Sequence, residues 1–120
     1  MEKEPGEPKI KVLFVDDSAS IRMFACDFLE KTMGLSTVIV DSAEKAIEEI
    51  QKGNFTHVIT DGLNGGWENV VQAGQEKGVS VTVISGNPKI EEQIPKDIRF
   101  IAKPMRLEQI REIFEERRCS

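Results

Sequence analysis

A small set of residues in this 120-residue sequence can do polar chemistry, and all of them lie at the ends of short apolar runs. They are the acids Asp16, Asp17 and Asp61, the hydroxyl residue Ser85 and the base Lys103. Carboxylates bind hard divalent cations, and a hydroxyl together with an ammonium group can contact a phosphoryl group. The set therefore predicts phosphoryl chemistry, provided that the fold brings these side chains together.

Three carboxylates in one cleft repel each other. A pair of carboxylates about 4 Å apart costs roughly 4 kcal/mol at an effective dielectric constant near 20. Either the pKa values of the acids rise or a cation neutralises them. The adjacent Asp16 and Asp17 suit Mg2+, which prefers oxygen ligands and often binds together with a phosphate. Lys103 would supply a second positive centre, and an aspartate between two cations can be a covalent phosphoryl acceptor.

Strands that alternate with helices must position these residues. The strands are predicted at residues 9–15, 37–40, 55–60, 79–84 and 99–102. This alternation indicates βαβ units and a mainly parallel sheet of the α/β class. The loops that leave the carboxyl ends of parallel strands meet at one edge, where ligands bind. All five polar residues fall at that edge.

The helices are predicted from apolar residues at helical spacing. Ser18 is the predicted N-cap of the first helix and Gly34 ends it. The predicted buried face of this helix consists of Ile21, Phe24, Ala25, Phe28 and Leu29. The predicted buried face of the last helix consists of Leu107, Ile110, Ile113 and Phe114. Residues 88–97 offer only two apolar anchors, Ile90 and Ile94, so this segment is either a very short helix or a loop.

Length and composition limit the class of protein. Hydrophobic residues make up 39% and charged residues 31%, which is typical of a globular domain. We predict a flexible segment at residues 1–9 and one domain at residues 10–117. The net charge of -5 without a basic stripe argues against direct nucleic-acid binding. No apolar run is long enough for membrane insertion, and residues 1–9 lack a secretory signal.

The cysteines and the single histidine do not predict a further site. Cys26 and Cys119 are isolated in the sequence, so they indicate neither a disulfide framework nor a metal site. Two free thiols favour a reducing, cytoplasmic location. His57 begins an apolar strand and is predicted to be a strand-end residue, because no second ligand lies near it in the sequence.

The order of these motifs resembles a response-regulator receiver domain, the phosphoacceptor half of two-component signalling. The resemblance covers about residues 9–116. Within the family, the chain is similar to the single-domain chemotaxis regulators. The matching motifs are VLFVDDS at 12–18, VITD at 58–61, VTVISG at 81–86 and IAKP at 101–104. Any one of them alone is common, whereas all four in order at the ends of predicted strands are specific.

The resemblance implies a doubly wound, five-stranded, flavodoxin-like parallel sheet. It implies Asp61 as the residue phosphorylated by a histidine kinase or a phosphotransfer protein. Asp16, Asp17, Asp61 and the backbone carbonyl of Leu63 would hold Mg2+, and Lys103 would contact the acyl phosphate. Ser85 and Phe100 would form the switch that a downstream protein reads. The chain would be a signalling phosphoacceptor that catalyses at most its own phosphorylation and dephosphorylation.

The sequence also departs from the family pattern. Asn64 and Gly65 stand where the family usually has Met-Pro, which predicts a more mobile loop. Ser85 and Lys103 are closer together than is usual, which predicts a shortened fourth helix. Leu63 is apolar where a polar residue can position a hydrolytic water, which predicts slow loss of the phosphoryl group.

Other interpretations stay open at this point. Asp16 and Asp17 could cap the first helix, and the pairs 61–62 and 85–86 could be plain turns. Lys103 could be a solvated lysine, and Phe100 an ordinary core residue. A degenerate receiver would bind its partner without phosphate. An aspartate-nucleophile phosphatase needs two aspartates separated by one residue, and a flavodoxin needs a hydroxyl-rich phosphate loop, so both fit less well.

Overall fold

The structure is a computed structural model that describes residues 9–115. Cys119 and nearly all of the predicted flexible segment 1–9 lie outside the described residues. The predicted domain bounds 10–117 stay a prediction for the same reason. None of the helices in the described part of the chain has both the length and the apolar character needed to cross a membrane.

Five parallel strands form one sheet. They are β1 (Lys11–Val15), β2 (Ser36–Val40), β3 (His57–Asp61), β4 (Ser80–Ser85) and β5 (Arg99–Ala102). The strand order is β2-β1-β3-β4-β5, so the connections change direction at β1 and β3. The predicted doubly wound, flavodoxin-like class is confirmed. Its switch point lies between β1 and β3, where α/β sheets of this kind bind ligands.

Within the described residues, four α-helices lie between consecutive strands: α1 (Ala19–Ala25), α2 (Ala43–Lys52), α3 (Trp67–Glu76) and α4 (Pro88–Gln93). A fifth, α5 (Leu107–Glu115), follows β5. A π-helical segment, Cys26–Thr32, continues α1. The Ser18 hydroxyl caps α1 by accepting from the Ile21 amide at 3.5 Å. Gly34 follows the π-helical segment with a φ of +70°, which suits a glycine at a helix end. The predicted short fourth helix is confirmed at six residues.

The core has two layers, one on each face of the sheet. Helices α2, α3 and α4 cover one face, with buried residues that include Ile50, Val70 and Ile90. Helices α1 and α5 cover the other face, where the buried residues include Leu29 and Ile110. Because both faces are covered, the strands are apolar on both sides, and β1 is buried from Val12 to Val15.

Two residues predicted inside are exposed. Phe24 keeps 39% of its surface exposed and stacks on Phe28, with ring centroids 6.2 Å apart. Phe24 lies at the margin of the buried face of this helix, because Ala25, Phe28 and Leu29 are buried as predicted and the change to π geometry begins only after Ala25. Leu107 is 43% exposed because it is the first residue of α5, one turn before the buried Ile110.

His57 is the first residue of β3, which begins two residues later than the predicted strand 55–60, and it is fully buried. Its Nδ1 lies 2.8 Å from the Thr56 hydroxyl, and its ring packs against Phe114 at 4.8 Å between centroids. Both contacts hold the start of the central strand in place, one to the preceding residue and one to α5. His57 is therefore a core residue of the fold.

Candidate functional site

The carboxyl ends of the strands place the predicted polar residues at one edge of the sheet. Asp16 directly follows β1, and its amide donates to the Val40 carbonyl at 3.3 Å. Asp61 is the last residue of β3 and Ser85 is the last residue of β4. Lys103 follows β5, and its amide donates to the Ser85 carbonyl at 3.0 Å. The parallel register therefore brings residues together that are 87 positions apart along the chain.

The three acids form a cluster that suits a metal ion. Asp16, Asp17 and Asp61 each offer a carboxylate oxygen, and these oxygens all lie within 4.8 Å of one another. Mg2+ binds oxygens at about 2.1 Å, so two opposite ligands of the ion are about 4.2 Å apart. Small side-chain movements would bring the three oxygens to these separations. The donor set, three carboxylates and no sulfur or imidazole, fits Mg2+ and similar hard cations.

Lys103 provides the positive charge of the cluster. Its Nζ lies 2.7 Å from Asp61 Oδ1 and 3.7 Å from Asp16 Oδ2. Burial alone would lower the pKa of Lys103, but the hydrogen bond to Asp61 and the nearby carboxylates outweigh it, so the pKa lies above the ordinary 10.5. The side chain is thus a permanent ammonium group at neutral pH. It is directed at the carboxylate that is predicted to accept a phosphoryl group.

Asp16 is the most buried acid of the cluster, with 2% of its surface exposed. Its Oδ1 accepts a hydrogen bond from the Ser18 amide at 2.9 Å. Burial is the largest cause that raises the pKa of Asp16 above 3.8, and the charges of Asp61 and Asp17 add to it. The Ser18 amide and Lys103 act in the opposite direction without cancelling the rise. The protein therefore holds one carboxylate in a place where its charge is costly, which a bound cation would relieve.

Ser85 lies beside the cluster and is 6% exposed. Its Oγ accepts a hydrogen bond from the Asn87 amide at 3.0 Å and so faces the start of α4. A Cβ atom on Gly62 would come within 3.3 Å of this Oγ and 3.1 Å of Ile90 Cδ1. A glycine after Asp61 therefore lets α4 and Ser85 pack close to this acid.

Phe100 is half-buried and packs against the core layer on the α3 and α4 face. Its register partner is Val83 in β4, two residues before Ser85. The structure thus places it on the strand next to the predicted switch serine. A change of rotamer at Phe100 stays a prediction.

The loop after Asp61 adopts a backbone conformation that non-glycine residues rarely have. Leu63 and Asn64 have φ values of 52° and 51°, which lie in the left-handed region. The Leu63 amide donates to Asp61 Oδ2 at 3.1 Å, so the loop holds the Asp61 carboxylate. The Leu63 carbonyl, predicted to bind Mg2+, accepts from the Gly66 amide at 3.0 Å. One lone pair of this carbonyl remains for a metal.

The left-handed conformation of Asn64 gives a prediction for stability. Asn64 is exposed, so its replacement removes few contacts. We expect Asn64→Ala to lower the free energy of unfolding by about 1 kcal/mol, because a Cβ without a compensating amide is strained at this φ. Asn64→Gly should be as stable as the wild type, and Gln72→Ala on the exposed face of α3 is the control. Urea unfolding measures the three differences, and an Asn64→Ala variant of unchanged stability would contradict the loop geometry.

Two cavities of about 460 Å3 each reach Asp61 from opposite sides. One is mainly polar and is bounded by the loop 62–67 and by α4, with Asn64, Asn87 and Lys89 in its wall. The other is mainly apolar and lies between α1 and the segment after β5, with Phe24 and Met105 in its wall. The Asp61 carboxylate, although 13% exposed, is therefore open to a partner or a small molecule.

Two contact residues of the site are absent from the sequence-based prediction. Arg22 donates to the Asp16 carbonyl at 2.9 Å, and Asn87 donates its amide to Ser85. The signal for Asn87 is its place as N-cap before Pro88, which the sequence shows. Arg22 has no comparable local signal, because an arginine on an amphipathic helix is ordinary.

The order of the strands and the helices on both faces define a flavodoxin-like α/β protein. Within this class the chain is similar to a response regulator receiver protein from Sinorhizobium medicae, with 22% identity, a TM-score of 0.79, and coverage of 90% of this chain and 93% of that one. It is also similar to the chemotaxis protein CheY4 of Vibrio cholerae, with 23% identity, a TM-score of 0.74, and coverage of 91% and 98%. The resemblance to receiver domains is confirmed for the fold.

A de novo designed Rossmann 2x3 fold protein matches almost as well, with 16% identity, a TM-score of 0.74, and coverage of 88% and 90%. The sequence matches no protein-family model and no curated protein. The fold alone therefore does not assign the activity, and the function has to be argued from the residues of the site.

Proposed function

We propose that this chain is a response-regulator receiver that accepts a phosphoryl group on Asp61. The donor is a phosphohistidine on a histidine kinase or a phosphotransfer protein, and the phosphorylated form changes the binding of a downstream protein. The chain is a signalling phosphoacceptor and acts in the cytoplasm, where the free thiol of Cys26 would stay reduced. The aspartyl phosphate is the signal that the partner reads.

The proposed step is a phosphoryl transfer between two side chains. An oxygen of the Asp61 carboxylate attacks the phosphorus, and the new O–P bond forms as the P–N bond of the donor breaks. The imidazole nitrogen keeps the electron pair of that bond and takes up a proton. Lys103 contacts Asp61 Oδ1 and is placed to stabilise the negative oxygens that surround the phosphorus.

The acid cluster would hold the metal that this chemistry uses. Mg2+, when bound, would neutralise charge on the phosphoryl oxygens. Its ligands would be Asp16, Asp17, Asp61 and the free lone pair of the Leu63 carbonyl. Ser85, whose Oγ accepts from the Asn87 amide, would donate its hydroxyl proton to a phosphoryl oxygen and turn towards Asp61. That change, together with Phe100 on the next strand, would be the switch.

The observation that carries the proposal is the contact of 2.7 Å between Lys103 and Asp61 inside a cluster of three carboxylates. A plain structural ion pair does not need two further acids within 4.8 Å, because they add repulsion. An arrangement that costs stability and lies at the switch point of the sheet is typical of a functional site.

The test is a phosphorylation assay with a small donor. The protein is mixed with acetyl phosphate and Mg2+, and intact-mass spectrometry follows an increase of about 80 Da, the mass that a phosphoryl group adds. We expect this adduct in the wild type with Mg2+, and none without Mg2+ or in Asp61→Asn. Asp97→Asn, an exposed acid away from the site, is the matched control and should be phosphorylated normally.

A folded wild type that forms no adduct and binds no Mg2+ would overturn the proposal. The chain would then be a degenerate receiver that binds its partner without phosphate. An adduct that persists in Asp61→Asn would instead show that another residue is the acceptor.

A further inference from the structure

Arg22 lies in α1, and no step proposed above uses it. Its Nη1 donates to the backbone carbonyl of Asp16 at 2.9 Å. Its backbone amide donates to the Ser18 carbonyl at 3.0 Å. One residue of the helix therefore contacts the loop on both sides of Asp17.

The peptide group between Asp16 and Asp17 is the one that Arg22 contacts. The preceding peptide group is held on the sheet side, where the Asp16 amide donates to the Val40 carbonyl, whereas the carbonyl of the Asp16–Asp17 peptide group accepts from Arg22 on the helix side. The Asp16 carboxylate has its own hydrogen bond from the Ser18 amide. The orientation of this peptide group sets the direction of the Cα–Cβ bond of Asp17.

Asp17 depends on this backbone more than the other two acids do. It is exposed, and in residues 9–115 no hydrogen bond holds its carboxylate, whereas Asp16 has the Ser18 amide and Asp61 has Lys103 and the Leu63 amide. We infer that Arg22 is the positioning residue that aims Asp17 at the metal. This inference rests on the proposed function, because it assigns Arg22 a part in the Mg2+ site.

The hydrogen bond, rather than the charge, is the direct link of Arg22 to the cluster, because its guanidinium contacts the Asp16 backbone and forms no ion pair with the three acids in residues 9–115. The influences that shift the pKa of Asp16 most are burial, the Ser18 amide and the charges of Asp61, Lys103 and Asp17. The charge of Arg22 acts on Asp41, whose pKa is lowered chiefly by the hydrogen bond and charge of Lys45 and to a lesser degree by Arg22. A lysine at position 22 would therefore keep the charge but lose the planar donor that reaches the Asp16 carbonyl.

The test compares Arg22→Met and Arg22→Lys with the wild type. Lys31→Met is the matched control, because it removes one positive charge from the adjoining π-helical segment, where Lys31 pairs only with the exposed Asp27. Binding of Mn2+, which takes the place of Mg2+ and is visible by electron paramagnetic resonance, gives the dissociation constant. In metal-free protein, the 13C resonance of the Asp16 carbonyl reports the hydrogen bond, and thermal unfolding reports stability.

We expect Arg22→Met to weaken Mn2+ binding about tenfold or more, which is the usual effect of removing a group that orients a metal ligand. Arg22→Lys should recover less than half of this loss on a logarithmic scale, about threefold or less. The Asp16 carbonyl resonance should move in both variants, while Lys31→Met matches the wild type in both readouts. If Arg22→Met does not fold, Arg22→Lys and its carbonyl resonance decide the question.

Two outcomes overturn the inference and differ in what they say about the proposed function. In the first outcome, the wild type binds Mn2+ and is phosphorylated, and the Mn2+ dissociation constant of Arg22→Met lies within about twofold of the wild-type value. This outcome overturns the role of Arg22 and leaves the proposed phosphoacceptor intact. A wild type that binds no Mn2+ overturns both. Full recovery in Arg22→Lys would show that the charge is sufficient, and it also contradicts the inference.

Discussion

Lys103→Met should be phosphorylated about 100-fold more slowly than the wild type, or slower still, because it lacks the ammonium group that faces the transferred oxygens. Lys103 Nζ lies 2.7 Å from Asp61 Oδ1, close enough to contact a phosphoryl group on that oxygen. Methionine has a similar length and no charge, so the change removes the charge with little change of volume. The rate of adduct formation with acetyl phosphate, followed by mass spectrometry at saturating Mg2+, measures the effect.

The same variant should not lose metal affinity. Without Lys103, the carboxylates of Asp16 and Asp61 have no ammonium group competing with the ion, so Mg2+ binding should be as tight as in the wild type or tighter. Lys52→Met, which removes an exposed lysine paired with Glu49, is the matched control for rate and affinity. A Lys103→Met variant phosphorylated at the rate of this control would show that Lys103 has no part in the transfer.

The pKa of Lys103 determines the pH range in which its ion pair with Asp61 stabilises the fold. Because the folded-state pKa lies above the unfolded value of 10.5, the contribution to stability is fully present below 10.5 and is lost as the pH rises through the folded pKa. Stability and phosphorylation in the neutral range therefore do not depend on the titration of this lysine. A dependence there must come from another group.

Most of the fold could be predicted because its determinants are local. Short apolar runs that end at polar residues predict the strands. The predicted β5 at 99–102, for example, has the observed bounds Arg99–Ala102. The short α4 follows from having only two apolar anchors, and only Ile90 is buried in the helix. Parallel pairing then brings the strand ends together without any further information about their distances.

The features that sequence patterns did not predict depend on local backbone conformation and on hydrogen bonds that involve backbone groups, which every residue type carries. The π-helical geometry after Ala25 changes the hydrogen-bond pattern of a helix whose sequence pattern predicts a regular α-helix. The left-handed Leu63 is another case, since its amide is held by the Asp61 carboxylate. Arg22 could not be singled out either, because its partner is a backbone carbonyl that has no sequence signature.

The cluster has a cost in stability, and Asp16→Asn should show it. In the metal-free protein at neutral pH, we expect Asp16→Asn to be more stable than the wild type by on the order of 1 kcal/mol, as is common when a costly functional charge is removed. Asparagine has the same shape, and its Oδ1 can still accept from the Ser18 amide. The buried charge disappears, whereas the hydrogen bond remains.

The sign of the pH dependence follows from the direction of the shift. The folded-state pKa of Asp16 is raised above 3.8, so the ionised carboxylate destabilises the fold at pH values above the folded pKa. This cost disappears as the pH falls through the folded pKa towards 3.8, because the carboxylate then takes up a proton. The stability difference between Asp16→Asn and the wild type should therefore be largest at neutral pH and shrink in acid, which urea unfolding at a series of pH values measures.

Metal binding should change in the opposite direction. Asp16→Asn loses a charged ligand, so Mg2+ affinity should fall about tenfold or more, and saturating Mg2+ should stabilise the wild type more than the variant. Asp17→Asn is the control, because Asp17 is also a predicted ligand but is exposed. This variant should lose Mg2+ affinity without becoming more stable in metal-free buffer. A variant Asp16→Asn that is less stable than the wild type in metal-free buffer would contradict the cost assigned to the buried charge. Higher stability with weaker metal binding would show that Asp16 is retained for the metal and not for the fold.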